Sequence, residues 1–186
     1  MTRPFDPEFD ILYADEVARA GDDPRRLRKL FAAGYLHRVR RGAYVIKERW
    51  DAADARQQHL ARVYAAAHDA REEFVVAGVS AAAVWDVPLF DPYGVDVEVL
   101  CEYRGGGRSE PGVRRLTASA EHASAIGHAG LVVTDLPRTV IDVACGRPLP
   151  VALAAVDWGI SARNPARTSI AAIRDRASAP RRLVTS

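Results

Sequence analysis

The first fifty residues contain a short segment whose apolar side chains have helical spacing. Drawn at about 100° per residue, the apolar side chains of residues 24–33 share one side: Leu27, Leu30 and Phe31. Asp23 and Pro24 supply the acceptor and the fixed φ that are typical of a helix start, and Gly34 is a common stop. The pattern therefore predicts a helix from Pro24 to about Ala33 with its apolar side packed inward.

The residues after Gly34 lose this spacing. Two short apolar segments, 35–39 and 43–46, flank the sequence Arg-Arg-Gly, which predicts two strands around an Arg-Gly turn. A looser helical spacing is present earlier, in residues 10–20. Helix, glycine stop and arginine-bearing hairpin follow one another in the order of a winged helix-turn-helix. We predict that fold for residues 1–50, the front module.

Residues 51–186, the back module, contain further helical and strand-like segments after a boundary near Trp50. Apolar spacing predicts helices at 51–71, 79–90, 136–146 and 150–164, and strands at 72–78, 95–103, 112–119 and 130–135. The expected caps of the first three helices are, in order, Asp51, Ser80, and either Thr134 or Asp135. Together the two modules predict an α+β fold.

The composition narrows the class of protein. Hydrophobic residues make up 48% and charged residues 27% of the 186-residue chain, as in folded soluble proteins. The longest apolar runs are too short and too interrupted for a membrane span. The first ten residues, with three acids and two prolines, lack the pattern of a secretory signal. Two widely spaced cysteines make neither a zinc site nor a disulfide framework. We therefore expect a cytoplasmic protein.

Positive charge is concentrated in the front module. Residues 24–49 contain nine Arg or Lys and one Glu, a net charge of +8, whereas the whole chain has +2. Four of these cations lie on the predicted helix and three in the hairpin: Arg25, Arg26, Arg28 and Lys29, then Arg38, Arg40 and Arg41. A solvated helix face is the alternative, but surface helices usually mix both signs of charge. The cluster therefore favours binding to double-stranded DNA.

The shape of duplex DNA assigns roles to these seven predicted DNA-binding residues. Arg25 and Lys29 lie nearly opposite the apolar side of the helix, so we expect them to face the floor of a major groove about 12 Å wide. We expect the turn to lift Arg38, Arg40 and Arg41 into solvent, where they bind phosphates or a minor groove.

The same stretch resembles a known family. The N-terminal winged helix of actinobacterial AbiEi-type antitoxins is similar to the segment RRLRKLFAAGYLHRVRRGAYV, and the back module has that group's other marks, VSAAAVWDVPL, VTDLPRTVIDVA and ALAAVDWGI, in order. The resemblance covers roughly residues 10–160. It implies a repressor that binds its own operator and counteracts a nucleotidyltransferase-like toxin, AbiEii, usually without a stable complex (the type IV arrangement).

The chain departs from many similar proteins at its end. Those proteins continue into a restriction-endonuclease-like domain, whereas this sequence stops at Ser186, either naturally or because it is trimmed. We therefore expect no nuclease core.

No constellation in the sequence matches a catalytic or metal site, so we expect neither an enzyme nor a cofactor. Asp96 and Glu98 lie on the strand at 95–103, but Glu98 is not followed by the lysine of a metal-dependent nuclease, and we expect both acids to face solvent. The five histidines lack the i,i+4 pairing of a zinc site. Asp142, in an otherwise apolar helix, is expected to be buried and bonded to backbone or an arginine.

Two basic segments and two rival functions stay open. The loop around Gly105–Gly107 is either a flexible surface loop or a mobile basic finger that contacts DNA or a partner. Residues 163–182 contain six arginines and one Asp and form a basic tail suited to non-specific DNA affinity. The rivals to a DNA-binding regulator are a protein-interaction scaffold and the non-catalytic part of a nuclease-related protein. No sequence feature determines the oligomeric state.

Overall fold

The computed structural model describes residues 5–8, 10–70, 74–89, 93–102, 111–118 and 124–161. Within these ranges the chain forms seven helices and eight strands in two sheets, an α+β fold as predicted. In chain order the elements are β1 (Leu12–Tyr13), α1 (Ala14–Arg19), α2 (Arg25–Ala32), β2 (Leu36–Arg40), β3 (Ala43–Ile46), α3 (Lys47–Ala52), α4 (Ala55–Asp69), β4 (Val75–Val76), α5 (Gly78–Val84), β5 (Val97–Glu102), β6 (Val113–Ala118), β7 (Ala125–His128), β8 (Leu131–Thr134), α6 (Leu136–Gly146) and α7 (Leu149–Ile160). The loop at Gly105–Gly107 and the tail at 163–182 lie outside the described residues.

The sheet of the front module consists of the predicted hairpin and one additional short strand. β2 and β3 pair antiparallel, with Leu36 opposite Ile46, and β1 joins the other edge of β3. Gly42 closes the turn with a φ of +84°, which glycine adopts without steric penalty. A bulge between Arg38 and Arg40 interrupts the ladder and breaks the alternation of side chains. The prediction of two strands around an Arg-Gly turn is confirmed.

Helix α2 begins and ends where the sequence predicts. The Asp23 carboxylate accepts a hydrogen bond of 2.9 Å from the Arg25 backbone N–H. At the other end, the Tyr35 N–H donates to the Leu30 carbonyl across Gly34. Both interactions satisfy backbone groups that a helix end leaves without intrahelical partners.

The inward packing predicted for α2 is only partly correct. Leu27 is buried against Leu36 and Tyr44, whereas Leu30 and Phe31 are 41% and 39% exposed. Leu27 is the residue of α2 that joins the buried cluster, and the other buried members, Leu36 and Tyr44, come from the two hairpin strands. An apolar patch therefore remains on the surface beside the cations of α2.

The long helix predicted at 51–71 is two helices. α3 ends before Ala53, which is extended, and α4 starts from Asp54. Asp54 accepts a hydrogen bond of 2.7 Å from the Gln57 N–H, and the Gln57 side chain accepts one of 3.0 Å from the Asp54 N–H. This capping box replaces the expected cap at Asp51, which lies in α3 and pairs with Lys47 instead.

Helix α4 is shared by the two modules. Ala61 and Ala65 pack into a core with Val45 and Trp50 of the front module. Other turns of the same helix pack against the back sheet, where Val63 is fully buried. The predicted boundary near Trp50 therefore crosses continuous packing, and α4 holds the front sheet in a defined position against the back module.

The sheet of the back module is mixed, with strand order β6-β5-β4-β8-β7. β5 pairs parallel with β6 and β4 pairs parallel with β8, while β4–β5 and β7–β8 are antiparallel. The sequence did not predict β7, because all four of its residues are exposed and show no alternation of burial. The other strand predictions are confirmed, although β4 is only two residues long.

Helices α5, α6 and α7 enclose a third core that includes Ala82, Leu136 and Val143. Asp135 caps α6 by accepting a hydrogen bond of 2.8 Å from the Arg138 N–H, which decides between the two caps left open by the sequence. Among the described residues, no helix has both the length and the apolar character needed to cross a lipid bilayer.

Candidate nucleic-acid interface

Four cations project from α2 into solvent. Arg25, Arg26, Arg28 and Lys29 are all exposed, and none forms an ion pair with a described acidic residue. The first turn of α2 contains no acid that would neutralise them. This short helix therefore presents uncompensated positive charge on its outer side, as the sequence predicts.

The hairpin places Arg38 beside α2. The Arg38 guanidinium lies 5.2 Å from the centre of the Phe31 ring, a cation–π contact that joins β2 to the helix. Arg41, at the turn, is exposed and has no ion pair with a described acid. The predicted exposure of these two hairpin arginines is confirmed.

Arg40 is not lifted into solvent as expected. Its Nε lies 3.1 Å from a carboxylate oxygen of Asp69, at the end of α4, and its Nη1 donates to the Pro111 carbonyl at 3.3 Å. The bulge beside Arg40 turns this side chain toward the back module. Arg40 therefore anchors the hairpin to the rest of the molecule, and its charge is largely engaged.

Two further cations of the front module are also engaged. Lys47 pairs with Asp51 at 2.7 Å, and Arg49 pairs with Asp10. Of the nine cations between residues 24 and 49, three thus have acidic partners, and six have none among the described residues. The six are Arg25, Arg26, Arg28, Lys29, Arg38 and Arg41.

The helix and the hairpin flank a cleft of about 900 Å³ that also borders the back module. Five arginines and no described acid line it: Arg28, Arg38, Arg40, Arg41 and Arg62. The structure thus brings one cation of α2 together with all three predicted hairpin arginines. Arg25, Arg26 and Lys29 are outside the cleft, on the remaining surface of α2.

Arg62 is a member of this group that sequence reasoning missed. It is half-buried on α4, and its guanidinium lies 5.3 Å from the centre of the Trp50 ring, on which His37 also stacks. Burial lowers the pKa of both Arg62 and His37, so His37 is neutral at pH 7. No local sequence signal marks Arg62, since its position beside the hairpin follows from how α4 packs.

A buried polar network in the back module connects α4, α5 and β5. The His59 Nδ1 lies 3.0 Å from the Gly94 carbonyl oxygen, and its Nε2 lies 2.9 Å from the Ser80 Oγ. Since a carbonyl only accepts, Nδ1 carries the proton, and Nε2 accepts from the Ser80 hydroxyl. Burial lowers the pKa of His59 to about 4, so the ring is neutral.

The position of Ser80 corrects its expected role as a helix cap. Ser80 lies inside α5, is fully buried, and accepts a hydrogen bond of 2.8 Å from the Glu98 N–H. Its partner His59 is 1% exposed. The Ser–His pair is therefore sealed from substrates in this structure, and its geometry serves to join two helices to a strand.

Glu98 also differs from the expectation of a solvent-facing acid. It is 8% exposed and accepts a hydrogen bond of 2.8 Å from the Val79 N–H, while Arg114 and Arg147 lie 3.4 and 3.5 Å from its other oxygen. The start of α5 covers this face of β5, because Gly78 has no side chain to hold the elements apart. Both faces of the strand are thus packed.

The burial of two other acidic residues, Asp96 and Asp142, is close to what the sequence predicts. Asp96 is exposed, and Asp142 is half-buried and bonded to Arg138 at 2.7 Å. Among the described residues, no three His, Cys, Asp or Glu side chains converge in a way that would hold a metal ion.

Compared with models of known protein families and with curated proteins, the sequence matches none of them.

Proposed function

We propose that the chain is a cytoplasmic, non-enzymatic regulator that binds duplex DNA through α2 and the β2–β3 hairpin. The observation that carries this proposal is the set of six exposed cations on these elements, none of which pairs with a described acid. Uncompensated cations on one surface attract the phosphate backbone and release its condensed counterions. An ordinary solvated surface would instead pair many of these charges locally.

The arrangement of elements supports a winged helix-turn-helix. Two helices are followed by a hairpin, and β1, which precedes them, pairs with the second strand of that hairpin. In this interpretation α2 enters the major groove and the hairpin is the wing. A helix with its side chains is about 10–12 Å in diameter, which fits a major groove about 12 Å wide.

The proposal gives individual residues different roles. Arg25 and Lys29, on the side of α2 opposite its apolar residues, face the bases. Arg38, Arg41 and the other exposed cations bind phosphates, which position the protein without reading sequence. Arg40 supports the wing through Asp69.

The resemblance to AbiEi-type antitoxins extends this proposal to a biological role. We propose that the DNA target is the operator of the protein's own gene, and that the back module counteracts an AbiEii-like nucleotidyltransferase toxin. What supports this is the order of the shared segments along the sequence.

A protein-interaction module is the second candidate, favoured by an apolar stripe on α7. Four exposed side chains recur there with spacings of four, three and four residues: Leu149, Leu153, Val156 and Ile160. That spacing places them on one side of a helix, as in helix–helix contacts. In this alternative the cations of the front module contact DNA only incidentally.

The salt dependence of duplex binding tests the first proposal. Four phosphate contacts, from Arg26, Arg28, Arg38 and Arg41, predict that the logarithm of the binding constant falls against the logarithm of salt concentration with a slope of about −3.6. The measurement is a titration of fluorescent duplex, carrying the gene's own upstream region or an unrelated sequence, at several salt concentrations. No duplex binding, or a slope near zero, would overturn the proposal.

Paired substitutions test the roles within it. Replacing Arg25 and Lys29 with Ala should weaken binding to the preferred duplex by about 1–3 kcal/mol per base contact and reduce the preference over unrelated DNA. Replacing Arg38 and Arg41 should weaken both duplexes alike and lower the salt slope. Lys47→Ala is the control, because this cation is already paired with Asp51. Equal losses on both duplexes for both pairs would contradict the assignment.

A further inference from the structure

The cleft between α2, the hairpin and the back module has properties that duplex binding does not require. Its volume of about 900 Å³ lies within the range of small-molecule sites, roughly 300–1,000 Å³. Its lining contains five arginines but no described acid. Val95, Val97 and Gly112 of the back module line it as well, so residues of both modules bound the space. A bounded, strongly cationic cleft suits a compact polyanion.

Arg62 points to such a ligand most directly. This cation lies in the cleft on α4, half-buried, and forms no ion pair with a described acid. Its guanidinium lies over the Trp50 ring, which compensates part of the charge. Removing a cation from water without a counter-charge is costly, so an anion bound here would gain a strong partner.

The cleft also offers flat surfaces. Phe31, which is 39% exposed, lines it, and the Arg38 guanidinium lies over the Phe31 ring. Aromatic rings and planar guanidinium groups both stack on nucleobases. Phosphate-binding arginines and stacking surfaces thus occur in the same space.

We propose that this cleft binds a nucleoside polyphosphate. Arg28, Arg41 and Arg62 hold the phosphates, and Arg38 with Phe31 contacts the base. Three of the arginines in the cleft also belong to the proposed DNA-binding surface: Arg28, Arg38 and Arg41. A bound nucleotide therefore competes with duplex DNA for these side chains and acts as a soluble effector.

Calorimetric titration of the full chain with ATP, pyrophosphate and adenosine tests the site. ATP should bind with one molecule per chain, pyrophosphate more weakly, and adenosine most weakly, because the phosphates and the base each contribute. Arg62→Gln should weaken ATP binding at least tenfold, since it removes the charge but keeps a polar stem. Arg62→Lys, which keeps the charge but loses the planar fork, should weaken it by a smaller factor. Lys47→Ala should bind ATP like the wild type.

Titration of the same variants with duplex DNA separates this inference from the proposed function. Arg62→Gln should retain duplex affinity within about twofold, whereas the double replacement of Arg25 and Lys29 should lose duplex affinity and retain ATP binding. Failure of duplex binding alone would leave the nucleotide site standing. The inference is overturned if ATP does not bind, if Arg62→Gln binds it normally, or if Arg62→Gln loses ATP and duplex equally. If Arg62→Gln is unfolded at the assay temperature, Arg62→Lys replaces it in the test. Unchanged ATP affinity in Arg62→Lys then overturns the inference.

Discussion

Acidification should destabilise this fold mainly through His59. Its ring is neutral in the folded chain, with a pKa lowered by burial from 6.5 to about 4. Between these values the unfolded chain binds the proton and the folded chain does not, so stability rises with pH across this window. The contribution is complete above pH 6.5 and is lost as the pH falls toward 4.

The size of this effect follows from the shift. A difference of one pKa unit corresponds to about 1.4 kcal/mol, so the shift of His59 corresponds to about 3 kcal/mol in the free energy of unfolding. Domains of this kind have total stabilities of about 5–15 kcal/mol. Loss of the His59 contribution should therefore be visible as a large decrease in the urea midpoint between pH 7 and pH 4.

A variant without a titrating group isolates His59 from other acids and bases. His59→Asn keeps an N–H donor near the Gly94 carbonyl but does not titrate, so the difference in pH dependence between wild type and variant reports His59 alone. His37, whose pKa is also lowered, contributes equally to both proteins. The measurement is urea unfolding followed by circular dichroism from pH 4 to pH 8. Identical pH dependence in both proteins, or a His59 midpoint near 6.5 by NMR, would refute the reasoning.

Two further substitutions probe the packing of α5 against β5 and the capping of α4. Gly78→Ala should destabilise the chain by about 2 kcal/mol or more. A Cβ at this position would collide with the Glu98 carboxylate, and the backbone φ of +53° is unfavourable for alanine. A urea midpoint equal to that of the wild type would show that α5 and β5 are not in close contact. Asp54→Ala should cost about 0.5–2 kcal/mol through loss of the cap of α4, measured in the same way, and a decrease as large as that of Gly78→Ala would contradict a purely local role.

The sequence predicted those parts of the structure that depend on neighbouring residues. Helix α2 was recognisable because its start signal, apolar spacing and glycine stop all lie within about twelve residues of each other. The hairpin was recognisable for the same reason, since the Arg-Gly turn and its flanking strands are local. The exposure of the α2 cations also followed locally, because the helix buries the side that carries Leu27 and leaves the charged side chains outside.

The sequence-based predictions were wrong where one local pattern is compatible with two structures, or where the residue's contact partner is distant in the sequence. The run at 51–71 has helical composition throughout, and only the capping box at Asp54 and Gln57 reveals the break. Glu98 alternates like a solvent-facing acid, yet α5 covers it. Such a covering element is not encoded in the strand that it covers.

The charge content of the front module was determined by the sequence alone, and its division into engaged and exposed cations was decided by the tertiary structure. Arg40 and Arg41 are neighbours in the chain, but only Arg40 reaches Asp69, 29 residues away, because the bulge and the packing of α4 bring them together. Arg62 enters the cleft for the same reason. Electrostatic pairing acts over a few ångströms in space, so it depends on which distant segments the fold places side by side.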